Sequence, residues 1–535
     1  MGASEEPRVT IVMTARERHS LTEASLDGIA RETTMPYRLM YVDCAAPAWL
    51  RSELEARATE WRLEIVRFEE PLWPQQARHR VVDRIITDYV VFIDNDVLVE
   101  GGWLEALVAC ADETGAGIVA PLYLWGDGVR PAKIHMAGGR IEQTEVPGGK
   151  VLREWHQLAN ADPNRVKLER QPCDFAEYHC MLVRTELLRD GAVLDPTIRC
   201  VHEHVDTALS VKARGYPVYL EPASRVTYLA FAEYMLNELA FLRERWSPAE
   251  GEASIAAFCR KWGVIDDERS FGGVRQFLNE HVAMVDPVRP AALDRGHTPM
   301  QRDDHQQTRS GLMDLAIQCG YGDRDLKLLS TCHNLAVVLV DGGYRGCGRP
   351  FIDHLVGTAS VLVRYGFRID VVAAGLLHAA YTHAPSHAGD ARTAAQRVCD
   401  WLGGKGSVIE ARVRAYTHRE SATSDESSID VSATSLMDAE IVAMVAANEV
   451  DLHLSGELRY TGRQDVLSAG RLAEIDEVCA LLGVGGLYET LRQARSDFRP
   501  AMEALLTRTH ASYRIGADRR SAVPMNNNVL KAMKR

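Results

Sequence analysis

Two periodicities alternate through the first part of the chain. "VTIVM" (Val9–Met13) is a continuous β-branched and apolar run and predicts a strand. Leu21–Arg31 carries its apolar residues three and four apart and predicts a helix. "RLMYVD" (Arg38–Asp43) predicts a strand, and "APAWLRSELEARATE" a helix with Pro near its start. "LEIVRF" (Leu63–Phe68), a helix in "PQQARHRVVDRII", the strand "DYVVFIDND", a helix at Trp103–Thr114 and the strand "AGIVAPL" continue the rhythm. Repeated β-α with short connections predicts a mostly parallel sheet with helices on both faces. In such sheets ligands sit beyond the C-terminal strand ends, where Thr14, Asp43 and Asp94 fall.

Residues 122–172 break the rhythm with Gly, Pro and charge and predict a turn-rich hairpin region. "CDFAEYHCMLVRTELL" resumes it. An acidic, histidine-rich helix start lies at His202–Asp206, with a helix to about Arg214 and a strand at Pro217–Leu220. Residues 229–265 predict aromatic helices packed back on this first domain, and a Pro-rich polar stretch near 286–310 marks a boundary. Beyond 310 the spacing is helical throughout. The expected domains are 8–230 (α/β), 231–300 (helical extension and linker), 310–465 (all-α) and 466–535 (C-terminal helices and a basic tail).

Composition narrows the class. Hydrophobic residues make up 46% and charged residues 25%, as in a globular protein, and a net charge of -13 argues against a nucleic-acid coat. The 11 cysteines are scattered without a C-x-x-C pair, which points to reduced thiols rather than a zinc ribbon. The N-terminus lacks a basic-then-apolar signal pattern, and no apolar run approaches the ~20 residues that span a bilayer. A cytoplasmic protein is expected.

The candidate chemistry centres on "VVFIDNDVLVEGGWLEAL". Asp94 and Asp96 lie two positions apart at the tip of an apolar strand, so extended geometry points both carboxylates to one side. Two like charges held close need a positive partner, and carboxylate oxygens suit Mg²⁺ or Mn²⁺. A simple Asp/Asn turn is the bland alternative. At a strand tip the pair is expected to be exposed, so that its replacement costs little stability.

With "VTIVMTARER", "RLMYVD" and "ARHRVVDRIITDYVVFIDNDVLVEGGWLEALV" in this order, residues 8–230 resemble family 2 glycosyltransferases of the GT-A fold, a Rossmann-like mixed sheet with helices on both faces. The resemblance implies donor-nucleotide contacts at Thr14, Ala15, Arg16 and Asp43, and at Arg78 and Asn95 near the diphosphate. It implies a metal on Asp94 and Asp96. His79 stands where the family usually has Asn. The element "VHEHVD" matches the family's second acidic cluster, which makes Glu203, His204 and Asp206 the catalytic candidates, with either Glu203 or His204 as the base. A helix cap is the bland reading of the same acids. Tyr228 stands near the place where relatives supply a metal-binding histidine, and His202 or His204 are possible substitutes.

"GRPFIDHLVGTASVLVRYGFRIDVVAAGLLHAAYTHA" resembles the HD-type helical fold of metal phosphohydrolases. His354 and His378 match its histidines, but the adjoining Asp is Ala379, and the distal Asp falls on Asn448 or on nearby Asp451. A degenerate, architectural or sensing domain that supports self-association is expected. The implied function is transfer of a sugar from a nucleotide diphosphate, UDP favoured, by a Mn²⁺- or Mg²⁺-assisted inverting displacement. The acceptor class stays open among saccharide, natural product, peptide and lipid-linked molecule. A non-catalytic nucleotide-sugar scaffold and a bifunctional transferase/phosphohydrolase are the alternatives.

Overall fold

The computed structural model describes residues 6–508 except 16, 45, 127–131, 341–342, 346, 384–391, 403–405, 422–430, 432–433 and 459–466. The chain forms two compact units. One comprises the chain up to Tyr234 together with Ala240–Met284; the other comprises Met235–Leu239 and the chain from Val285 onward.

The first unit opens with β1 (Val9–Thr14), α1 (Thr22–Glu32), β2 (Tyr37–Cys44), α2 (Ala48–Trp61), β3 (Leu63–Phe68), α3 (Pro74–Val81) and β4 (Tyr89–Asp94). The four strands are parallel in the order β3-β2-β1-β4. Every residue of β1 and β4 is buried, which is why both read as unbroken apolar runs rather than alternations. The register sets Thr14 opposite Asp94 and Val42, so the C-terminal ends of β1, β2 and β4 lie at one edge. The predicted helix after Pro74 is shorter than its pattern: it ends at Val81 and tightens into a 3-10 turn at Val82–Arg84 before Ile85 turns extended.

The chain continues with β5 (Val97–Val99), α4 (Trp103–Thr114), β6 (Ile118–Trp125), β7 (Lys133–Met136), the hairpin β8 (Gly139–Val146) and β9 (Gly149–His156), then β10 (Gln171–Cys173), β11 (Cys180–Arg184), α5 (Glu203–Ala213) and β12 (Val218–Tyr228). The sheet is mixed. β11 enters antiparallel to β4 with Cys180 opposite Ile93, so the start of β11 lies beside the tip of β4. β12 runs parallel to β6 and extends well beyond the predicted Pro217–Leu220, with a register shift between Glu221 and Arg225. The predicted aromatic helical stretch resolves into α6 (Leu239–Arg245) and α7 (Pro248–Trp262), followed by α8 (Glu268–Val285).

The second unit is all-helical among the described residues. Its central helix, Leu436–Leu454, is buried at every position from Ala439 to His453, as expected of a helix apolar nearly all round. Two of its buried acids, Glu440 and Asp451, meet basic partners. Glu440 accepts from Arg368 (3.0 Å) and Arg412 (2.6 Å). Asp451 meets His305 (2.8 Å), His354 (2.7 Å) and a two-pronged Arg349 (2.9 Å on each oxygen). No helix among the described residues is long and apolar enough to cross a membrane.

Burial alone would push the Asp451 carboxyl up, but its bonds to His305, His354 and Arg349 hold it far below the ordinary carboxylate range. A folded-state pKa below the unfolded one contributes stability above the unfolded pKa, about 3.9, and that stability fades as pH falls below it. Asp451→Ala leaves the largely buried Arg349 guanidinium without its anion and two imidazoles without their acceptor, and is expected to cost about 3–5 kcal/mol. Denaturant melts of the full chain check this: the variant's transition should fall sharply at pH 7 and converge with the parent's in acid. Equal midpoints at pH 7 would refute it.

Candidate active site

The tip of β4 carries a buried acidic pair. Asp94 and Asp96 are 2% and 0% exposed, so the expectation of an exposed strand tip is wrong. The reason is local: the chain turns at Asn95 and Asp96 into β5, which pairs with the end of β12 and covers the tip. Asn95 secures this turn. Its amide donates to the Arg18 carbonyl (2.7 Å) and to Thr22 Oγ1 (2.9 Å), and its carbonyl accepts from Ser25 (2.8 Å). The Asn95 side chain thus bonds to the start of α1 and the turn before it and braces the turn that carries the acids.

Each acid has a cationic neighbour. Arg78 Nη2 donates to Asp94 Oδ1 at 3.1 Å, and His179 Nδ1 lies 3.3 Å from Asp94 Oδ2. Arg18 Nη1 reaches Asp96 Oδ2 at 3.3 Å. Ligand atoms of Asp94, Asp96 and His179 all lie within 4.8 Å of one another, a spacing that suits one divalent ion. Two carboxylates and an imidazole match the donor preferences of Mn²⁺ and Mg²⁺, with the nitrogen favouring Mn²⁺.

His179 is absent from the sequence reading, which placed the third ligand near Tyr228. The two rings stack, with centroids 4.1 Å apart and planes 25° apart. Tyr228 directs its hydroxyl to Glu17 (3.1 Å). It therefore buttresses His179 while the imidazole faces the acids. His202 packs against Phe258 and Phe271, each ring centroid 5.0 Å away, and does not substitute. The overlooked signal is the Glu-x-His before the apolar strand "CMLVR": an antiparallel neighbour of β4 must start where β4 ends.

Among the arginines with buried N–H groups that lack hydrogen-bond partners within the described residues, Arg78 and Arg245 each leave two such groups. For Arg78 these are Nε and Nη1, and for Arg245 at the end of α6 the same two atoms. Arg78 lies over the Tyr178 ring with its guanidinium carbon 3.6 Å from the centroid, and the positive charge of Arg245 reaches it. Burial pushes the Arg78 guanidinium below its ordinary value, only partly offset by Asp94. Buried donors without acceptors are costly, so such a pair is suited to receive an anionic group. Arg245 sits in "LAFLRERW", a stretch whose pattern predicts a packing helix and does not single out the arginine.

The α5 start separates its three candidates. Asp206 is fully buried and accepts from Lys261 Nζ (2.9 Å) and Trp262 Nε1 (2.7 Å), which braces α7 against α5. Burial pushes its carboxyl up to about 6 despite Lys261. His204 faces Glu154 across 3.6 Å. Burial alone would lower it, but the Glu154 charge outweighs that and raises it to about 9, so the ring is cationic at neutral pH and a poor proton acceptor. Glu203 is buried, 7% exposed, and its carboxylate makes no hydrogen bond or ion pair with the described residues. Its charge is felt by Arg78 and Tyr178, which places it on the anion-site side.

At the ends of β1 and β2 the candidates differ. Thr14 Oγ1 is buried without a hydrogen-bond partner among the described residues. Asp43 is already engaged: Oδ1 accepts from the Ala46 amide (2.8 Å), and Oδ2 meets Arg67 (2.8 Å) and Arg51 (3.1 Å). Ala15 follows Thr14 at the strand end, half-buried, and Arg16 lies outside the described residues.

Residues 10–191 match the family model described as glycosyl transferase family 2. The first unit contains a family 2 glycosyltransferase domain. Solved structures with a similar chain include GalNAc-T7 with UDP, GalNAc and Mn²⁺, at 15% identity over 53% of this chain and 57% of that one, TM-score 0.36. Staphylococcus aureus TarS matches at 14% identity over 46% of this chain and 41% of its own, TM-score 0.29. TarS 1–349 with UDP-GlcNAc matches at 12% identity over 54% of this chain and 86% of its own, TM-score 0.30. The chain therefore spans about half the length of the first two neighbours, and similarity this low bears on neither substrate nor mechanism. No curated protein matches the chain.

The family 2 glycosyltransferase match runs from β1 through β11. Its model ends at residue 191, before α5, α6 and β12, so Glu203, Arg245 and Tyr228 lie beyond it. The domain's acidic pair, His179 and Arg78 all fall inside it.

Proposed function

We propose that this chain is a glycosyltransferase that moves a sugar from a nucleotide diphosphate, with UDP the favoured carrier, to an acceptor hydroxyl by inverting single displacement. The observation that carries the reading is the buried Asp94–Asp96–His179 group next to Arg78, whose guanidinium keeps N–H donors without partners. Asp94, Asp96 and His179 would hold a Mn²⁺ or Mg²⁺ ion, whose positive charge would stabilise the leaving diphosphate. Arg78, with Arg245 near it, donates hydrogen bonds to the same phosphate oxygens. Glu203 takes the proton of the acceptor hydroxyl as its oxygen bonds to the anomeric carbon. The anomeric C–O bond breaks and its electron pair leaves on the diphosphate. Thr14 and Asp43 border the nucleotide end, with Arg51 and Arg67 holding the Asp43 carboxylate in place.

A panel of nucleotide sugars incubated with the full chain and Mn²⁺ tests the reading, because donor hydrolysis is detectable before any acceptor is known. Slow release of one nucleoside diphosphate, with inversion at the anomeric carbon, is expected. Absence of release and of binding across the panel would contradict it.

For the second unit we infer an HD-like fold whose ion site is lost. His354 and His378 have ring centroids 5.1 Å apart, and Asp451 rather than Asn448 bonds to His354. Ala379 removes the neighbouring carboxylate. Arg349 places a guanidinium on both oxygens of Asp451, supplying the positive charge that a metal would otherwise bring. The full chain is therefore expected to show no phosphate-ester hydrolysis with Mn²⁺, Fe²⁺ or Co²⁺ in a broad substrate screen. Turnover that disappears in His378→Ala would overturn this and make the chain bifunctional.

A further inference from the structure

A second group of metal-type ligands sits beside the acidic pair, and its donor chemistry is different. Glu177 is its centre. His135 Nε2 lies 2.8 Å from Glu177 Oε2, His179 Nε2 lies 3.5 Å from the same oxygen, and His156 Nε2 lies 3.2 Å from Oε1. Ligand atoms of His135, Glu177 and His179 fall within 4.8 Å of one another. Neighbouring ligands around a tetrahedral zinc ion stand about 3.3 Å apart, given bonds near ~2.0–2.1 Å. The observed separations bracket that value.

Three independent elements bring these side chains together. His135 lies on β7, His156 ends β9, and Glu177 and His179 precede β11. The imidazoles pack edge to face, His135 with centroids 4.8 Å from His156 and 5.3 Å from His179. Aromatic rings surround the group: Trp125 packs 5.4 Å from His135 and Phe175 6.0 Å from His156. A strand-borne His135 and an aromatic shell around the group hold ligands in place more firmly than exposed loops do, and Glu177 and His179 sit in the short turn that leads directly into β11. The simpler alternative, a histidine–carboxylate charge cluster, needs one or two imidazoles around a glutamate. Here three converge on Glu177.

We propose that His135, Glu177 and His179 form a second metal site selective for a borderline transition ion such as Zn²⁺, with His156 holding the other Glu177 oxygen. Two imidazoles and one carboxylate favour Zn²⁺ over Mg²⁺, whereas the acidic pair favours harder ions. His179 belongs to both groups, Nδ1 towards Asp94 and Nε2 towards Glu177. A neutral imidazole has one lone pair to give. Zinc at the histidine group therefore draws His179 away from the acidic pair, and the two ions compete through one ring. Zinc acts as an inhibitor of whatever the Mn²⁺ site does, and in the absence of Mn²⁺ its binding requires neither carboxylate of the acidic pair.

The test uses the full chain and zinc or cobalt alone. One equivalent of Zn²⁺ should bind the parent, and Co²⁺ at the same site should show the intense visible bands of a four-coordinate ion. Asp96→Asn should keep that equivalent, and His135→Gln should lower the affinity at least ~10-fold, as loss of a direct ligand exceeds the effect of an outer one. In the parent, added Zn²⁺ should weaken Mn²⁺ binding, read by the Mn²⁺ paramagnetic resonance signal. His156→Gln, which removes no direct ligand, gives a second reading and should weaken zinc less than His135→Gln. Zinc affinity unchanged in His135→Gln, zinc lost only with Asp96→Asn, or faint six-coordinate cobalt bands in the parent would each overturn the proposal.

Discussion

Asp94→Asn and Asp96→Asn are expected to lower transfer by at least ~10²–10³-fold, the size of effect seen when one preorganised electrostatic contact to a developing charge is removed. The amide keeps the side-chain shape but lacks the negative charge that retains a divalent ion. Nucleotide-sugar affinity should become indifferent to Mn²⁺ in both variants. Stability should fall as well, because each acid neutralises a buried arginine, Arg78 for Asp94 and Arg18 for Asp96. Alanine at either position removes a partner of a buried ion pair and costs about 3–5 kcal/mol, so asparagine is the informative change. Calorimetric titration of the donor with and without metal, alongside a melt, separates the two effects. Metal-dependent affinity that persists in both folded variants would remove the pair from the mechanism.

Glu203→Gln is expected to lower kcat by ~10²–10⁴-fold, the usual contribution of a general base. Donor affinity should stay near the parent's, because the arginines and the acidic pair are untouched. His204→Gln should act differently. His204 is cationic and faces Glu154, so its loss disturbs the β9 side of the site rather than the proton transfer. A kcat loss confined to Glu203→Gln supports the assignment. Full kcat in Glu203→Gln, or an equal kcat loss with unchanged donor affinity in His204→Gln, would move the base elsewhere.

Much of the first unit was legible because its strands are buried on both faces. Tyr89–Ile93 and Val9–Met13 read as strands from composition alone, and their ends carried the candidate acids. Glu203, His204 and Asp206 could be placed on one helix start but not told apart. Their roles depend on Glu154, Lys261 and Trp262, which stand far away in sequence. His179 was missed for the same reason. Its role follows from an antiparallel strand pairing that no local pattern announces. The exposure of Asp94 and Asp96 was misjudged because the strand tip is covered by β5 and by the later strand β12. In the second unit, Asn448 and Asp451 sit on one buried helix, and only the spatial arrival of His305, Arg349 and His354 selects Asp451.

The tip of β4 is proposed as a metal-assisted diphosphate site. Its most direct test is the affinity of the parent chain for UDP, measured by calorimetry in metal-free buffer and again with Mn²⁺. Mn²⁺ should tighten UDP binding at least ~10-fold, a gain of about 1.4 kcal/mol. Nucleoside diphosphate binding that is equal with and without the ion would contradict it.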